Sequence, residues 1–143
     1  MTDNSGKTWM SIGETDDLNA VIETYTAGAA ITKGDPVYLS ADETVSPAAA
    51  AQDCIGVAAK TVASGDPCPV IVHGRVKMKV GGAITRGKAV MGADASKRVL
   101  QLTDQAVNEG GTGTYTIYYN RKLGTALESA TTADDLIFIK VEK

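Results

Sequence analysis

The chain has 143 residues with 14 basic and 17 acidic side chains, a formal net charge of −3, and its 43% apolar and 22% charged shares are those of a globular domain. Ala (20), Thr (16), Gly (15) and Val (13) dominate, whereas Phe, Trp and His occur once each and Cys twice. That inventory disfavours a zinc knuckle, a His-rich metal centre and a disulfide scaffold; the mild acidity argues against nucleic-acid binding, and no run reaches the ~18–20 apolar residues of a membrane span.

Charge divides the chain near residue 26. Residues 1–26 carry Asp3, Glu14, Asp16, Asp17 and Glu23 against Lys7, a net −4, while residues 27–143 sum to +1. The first segment reads as an acidic N-terminal arm ahead of one domain over 27–143. It is polar and lacks the apolar core of a secretory leader, so cytoplasmic synthesis is the expectation. Trp9, Met10 and Ile12 are its candidate anchors, because aromatic and Met side chains carry much of an interface's energy. Asp16 and Asp17 are its candidate charged contacts.

The body is organised by an internal repeat. Gly28-Ala29-Ala30-Ile31-Thr32-Lys33-Gly34-Asp35-Pro36-Val37-Tyr38 returns 53 residues later as Gly81-Gly82-Ala83-Ile84-Thr85-Arg86-Gly87-Lys88-Ala89-Val90-Met91. Cys54-Ile55-Gly56-Val57-Ala58 returns 68 residues later as Lys122-Leu123-Gly124-Thr125-Ala126. Each is followed by a polar turn, Ser64-Gly65-Asp66 or Thr132-Ala133-Asp134, and an apolar run, Val70-Ile71-Val72 or Ile137-Phe138-Ile139. The halves are about 27–80 and 81–143, and the difference in offset places 15 extra residues in a variable loop within 92–121.

Strand signals recur along both halves. Val70 to Val80 alternates over its later part, with Val72, Gly74, Val76, Met78 and Val80 on one face and His73, Arg75, Lys77 and Lys79 on the other. The second set is a candidate basic interface for a subunit or an acidic protein surface. Tyr115 to Tyr119 reads as a strand after the Gly110–Gly113 turn cluster, and Leu136 to Val141 as the terminal strand. Short single helical turns are possible at Pro47–Gln52 and 103–109. Gly34 and Gly87 are expected to supply turn dihedrals, and Gly56 and Gly124 to mark a bulge or a close backbone approach.

Chemical motifs are weak. Gly82 to Ala89 nearly matches a phosphate-binding loop, but Ala89 replaces the hydroxyl residue and a strand, not a helix, is expected next. His73 is the only base for a nucleophile triad, and no G-x-S-x-G elbow is present. Cys54 and Cys68 are expected as reduced thiols. The Asp16-Asp17 and Asp134-Asp135 pairs are expected as solvated charge. No catalytic, cofactor or metal residue is assigned.

The succession Ile31-Thr32-Lys33-Gly34-Asp35-Pro36-Val37, Ile55-Gly56-Val57-Ala58, Val72-His73-Gly74-Arg75-Val76, with Gly81–Gly87 and Leu123–Leu127 near the C-terminus, resembles the capsid decoration, or cement, proteins of tailed phages. The resemblance spans about residues 27–142. It implies an all-β fold, a small β-barrel or β-tulip-like sandwich with an extended arm. It also implies a virion protein on the outer capsid surface that binds the major capsid protein, bridges capsomers as a homotrimer and resists the pressure of packaged DNA. No cofactor, nucleic-acid or membrane partner is implied. The competing class is a virion-surface module for carbohydrate or a host surface, with Tyr115, Tyr118 and Tyr119 as its platform.

Overall fold

The computed structural model describes residues 12–13, 20–103 and 119–143. Among these residues nine strands form one sheet: β1 (Val21–Ala27), β2 (Pro36–Ala41), β3 (Thr44–Pro47), β4 (Cys54–Ala58), β5 (Pro67–Lys79), β6 (Ala89–Gly92), β7 (Val99–Gln101), β8 (Lys122–Ala126) and β9 (Leu136–Glu142). Tyr119–Arg121 form a 3-10 turn, and the described residues contain no α-helix. The Pro47–Gln52 segment leaves β3 as bends rather than as a helical turn.

The sheet order is β1-β3-β2-β4-β5-β9-β8-β6-β7, with β1 also pairing β5. The first five strands therefore close into a barrel. The last five repeat the same order, β5-β9-β8-β6-β7, and a parallel bridge from Val80 to Val99 brings the end of β5 beside β7. β5 is thus shared: Pro67–His73 pair with β1 and His73–Lys79 pair with β9. Gly74 sits at that changeover with φ +130°, a conformation open to glycine.

The repeat holds at the level of single hydrogen bonds. Ile31 and Val62 exchange two backbone bonds of 3.0 and 2.9 Å, as do Ile84 and Ala130. Gly34 and Gly87 each donate to an alanine carbonyl, Ala58 and Ala126, at 2.8 Å, and both turn glycines have positive φ, 93° and 85°. A bulge falls between Val37 and Tyr38 in the β2–β4 pair and between Val90 and Met91 in the β6–β8 pair. Gly56 and Gly124 mark close approach: a Cβ on Gly56 would strike the Ile71 carbonyl oxygen, and one on Gly124 the Lys140 carbonyl oxygen.

Two features differ from the sequence reading. β1 begins at Val21, so the sheet starts inside the segment assigned to the arm, and the division at residue 26 moves toward the N-terminus. The polar turns also match with an offset of 69, not 68. Gly65 donates to Ala27 and its counterpart Asp134 donates to Val80, and both have positive φ, 90° and 70°. One extra residue lies in the second turn, and an aspartate, which tolerates the left-handed region better than most residues, stands in for glycine.

Each barrel has a core. Ala27, Ile31, Val37, Val45, Ala58, Cys68, Val70 and Val72 fill the first. The larger second core takes Val76, Met78, Val80, Val90, Leu123, Ile137, Ile139 and Val141, and reaches across to Cys54, Val57 and Ile71 of the first half. The junction is tight. A Cβ on Gly92 would come within 2.8 Å of the Pro36 ring and 2.9 Å of the Cys54 sulfur. Ala93 N–H also donates to Ala50 at 2.9 Å, so the barrels are knitted by backbone as well as by apolar packing.

Candidate interaction surface

The outer face of the second barrel gathers the charged residues predicted from the alternation of β5. Cross-strand register places His73 opposite Glu142, Arg75 opposite Lys140, Lys77 opposite Phe138 and Lys79 opposite Leu136. Directly opposed residues share a face. Leu127, one residue past β8, donates its N–H to the Phe138 carbonyl at 3.0 Å and so lies beside Phe138.

Phe138 determines how this face behaves. It points away from the second core, between the inward Ile137 and Ile139, yet is only 1% exposed. The Arg75 guanidinium lies 4.8 Å from its ring centroid and the Lys77 ammonium 4.7 Å, so two cations share one ring. The Phe138 N–H is held by Glu128 Oε1 at 2.8 Å. Alternation alone predicts an outward, solvated Lys77. It is instead 5% exposed, because its stem packs over the ring. The Arg75 Nε is buried without a hydrogen-bond partner among the described residues. His73 and Lys79 remain exposed, as do Lys140 and the two leucines, Leu127 (39%) and Leu136 (42%).

These cations contrast with others in the body. Arg98 binds Asp94 at 2.9 Å and Asp134 at 3.0 Å, Lys97 approaches Asp35 at 3.8 Å, and Lys122 approaches Glu142 at 3.7 Å. Burial pushes the Asp94 carboxyl up, but the Arg98 side chain and the Arg98 and Ser96 backbone N–H groups outweigh it and hold the carboxyl below its ordinary range. No such carboxylate partner stands beside Arg75, Lys77, Lys79 or Lys140 among the described residues.

Of the arm candidates, only Ile12 is described. Trp9, Met10, Asp16 and Asp17 lie outside the described residues. Gly13 donates its N–H to the Lys77 carbonyl at 2.7 Å, and a Cβ on Gly34 would meet the Ile12 side chain at 2.6 Å. Ile12 is therefore seated on the chain's own Lys33-Gly34 turn, with Gly13 bonded to β5.

The remaining motifs resolve simply. Gly82 to Ala89 leads into β6, a strand, so no helix N-terminus backs that loop. Both cysteines are free and buried, and burial pushes the Cys54 thiol up to about 12. Among the described residues no group of three or more His, Cys, Asp or Glu could hold a metal ion. Of the tyrosines proposed as a platform, Tyr115 and Tyr118 lie outside the described residues. An open depression of about 580 Å³ beside β2 is lined by Tyr38, Leu39, Asp53, Ile55, Arg121 and Lys143, among others.

Residues 19–142 match the phage cement protein family, and the chain belongs to that family. Among solved structures it is similar to the head fiber gp8.5 N base of bacteriophage phi29, with a TM-score of 0.54 and 17% identity over 86% of this chain and 94% of that one. At that identity the likeness is one of fold. No curated protein sequence matches the chain. The protein is thus a capsid-associated structural protein of a phage virion.

Proposed function

We propose that the chain is a decoration subunit on the outer surface of the phage head, where it bridges neighbouring copies of the major capsid protein and helps the shell resist the pressure of packaged DNA. The observation that carries this reading is the family match across both barrels, residues 19–142. The similarity to a phage head fiber base supports it. The architecture suits a strut between capsomers. One closed barrel and a second set of strands whose ends meet at the Val80–Val99 bridge leave little free strand edge for unwanted pairing, and two cores knitted by backbone bonds join them into one body.

A homotrimer is the assembly proposed. Three copies would convert three modest contacts into one strong attachment through effective concentration. Trp9, Met10, Asp16 and Asp17 are proposed as attachment residues, and Ile12 as the point that fixes the arm to the body. His73, Arg75, Lys77 and Lys79 supply the basic face, with Arg75 and Lys77 acting through Phe138. The subunit needs no cofactor and performs no catalysis in this reading.

The test is sedimentation of purified protein with heads that lack it, beside the solution mass of the free protein. Saturable co-sedimentation, a mass about three times 14.8 kDa and heads that retain DNA to higher temperature are the expected results. A monomer would refute the trimer, and unchanged heat release of DNA would refute the stabilising role.

A further inference from the structure

The geometry points to the outer face of β5, β9 and the end of β8 as the surface that docks the subunit onto an acidic patch of another protein. Lys79 and Lys140 are its charged contacts, Leu127 and Leu136 its apolar anchors, and the Arg75–Phe138–Lys77 stack its rigid floor. The inference rests on the head-attachment reading and adds which barrel faces the shell and what chemistry receives it.

The repeat supplies an internal control. With the offsets of 53 and 69 residues, the pair Lys77–Phe138 corresponds to Thr24–Pro69, and Lys79–Leu136 to Thr26–Pro67. Leu127 corresponds to Ala59, which donates to the Pro69 carbonyl at 2.9 Å as Leu127 does to Phe138 at 3.0 Å. The first barrel therefore builds the same strand pair, with the same backbone bonds, from threonine, proline and alanine. The fold does not require an outward Phe, two lysines and two leucines at these positions. In the second half they are an addition to the scaffold.

The chemistry of the addition specifies a partner. Two cations held against one ring repel each other, and Lys79 and Lys140, on the same face, form no ion pair with a carboxylate among the described residues. Incoming carboxylates would relieve that repulsion. The exposed leucines flanking the cations are contacts that a protein surface can cover. A nucleic acid is the less favoured occupant. Phe138, the aromatic on this face, is buried under cations and offers no ring for base stacking, and the chain as a whole is net negative.

The test compares binding of the full chain and its variants to purified heads lacking the protein. Lys79→Glu/Lys140→Glu should bind at least ~10-fold more weakly near 50 mM salt, and the gap should narrow as salt shortens the screening length. Leu127→Ser/Leu136→Ser should weaken binding with little salt dependence. Lys60→Glu/Lys88→Glu changes net charge equally at two exposed sites elsewhere and should bind as wild type does. All three pairs are exposed, so unchanged melting temperatures should accompany these results. If wild type binds heads and the Lys79/Lys140 pair variant binds equally, or if the Lys60/Lys88 control loses as much, the docking face is overturned. The same is true if the Lys79/Lys140 variant loses affinity only for double-stranded DNA. If wild type itself does not bind heads, the head-attachment reading falls and this proposal with it.

Discussion

Replacing Gly124 or Gly56 by alanine tests whether the halves are built on the same backbone contacts. In an ordinary strand, Gly→Ala gains roughly 0.5–1 kcal/mol, because glycine loses more freedom on folding. Here the added methyl has nowhere to go. On Gly124 it strikes the Lys140 carbonyl oxygen and lies 2.8 Å from the Lys140 carbonyl carbon and 3.0 Å from the Val141 Cα. On Gly56 it strikes the Ile71 carbonyl oxygen and lies 2.7 Å from a Val70 methyl. The obstructing atoms are mainly backbone of the paired strand, so relief requires moving β9 away from β8, or β5 away from β4. Overpacking of this kind costs typically ~1–3 kcal/mol, and stretching one ladder hydrogen bond adds about 1 kcal/mol. The net expectation is a loss of about 2–3 kcal/mol at each site. For a chain of this size that lowers Tm by roughly 10 °C. Gly82, with nothing within 4 Å of its Cβ position, is the control and should tolerate alanine without loss. Thermal unfolding followed by circular dichroism reads all three. If Gly56→Ala and Gly124→Ala melt with wild type, the close approach is absent. If only one is destabilised, the two half-barrels are not equivalent.

Two further outcomes follow from burial. Neither Cys54 nor Cys68 should react with a thiol reagent in the native protein near neutral pH, since both are 0% exposed and Cys54 is pushed up to about 12; both should react at once on unfolding. Asp35 is buried, and burial raises its carboxyl above the ordinary value despite the Thr32 N–H at 2.9 Å and Lys97 at 3.8 Å. A carboxyl raised in the folded state contributes its stability below its unfolded value and loses it as pH rises through the folded one. Asp35→Asn keeps an acceptor for Thr32, so its stability relative to wild type should increase between about pH 4 and pH 7 in urea unfolding. A relative decrease would mean that the Lys97 pair outweighs the cost of burial.

Much of this fold is readable because its repeat is written in residues whose roles are geometric. Gly34 and Gly87 hold positive φ, and Gly56 and Gly124 permit close strands, so they recur in sequence as they recur in space. β1 escapes that reading. Val21, Ile22, Glu23 and Thr24 are all exposed, so the strand has no apolar period to detect, and Glu23 gives it the charge of the acidic arm. The sharing of β5 is also hidden, because alternation continues unbroken through Gly74 while the neighbouring strand changes from β1 to β9. Alternation places Arg75 and Lys77 on the correct face. Their partner Phe138 is 61 residues from Lys77, and only cross-strand register reveals that the ring lies between them. The signal that could have found it is the lone Phe in an outward position of a strand whose neighbours, Ile137 and Ile139, point inward.

The most direct measurement is a density map of phage heads carrying the protein. The predicted result is density for both barrels on the outside of the shell, with the β5–β9–β8 face of the second barrel against it and Lys79 and Lys140 within about 4 Å of shell carboxylates. Heads with no such external density, or barrels attached with that face turned to solvent, would contradict it.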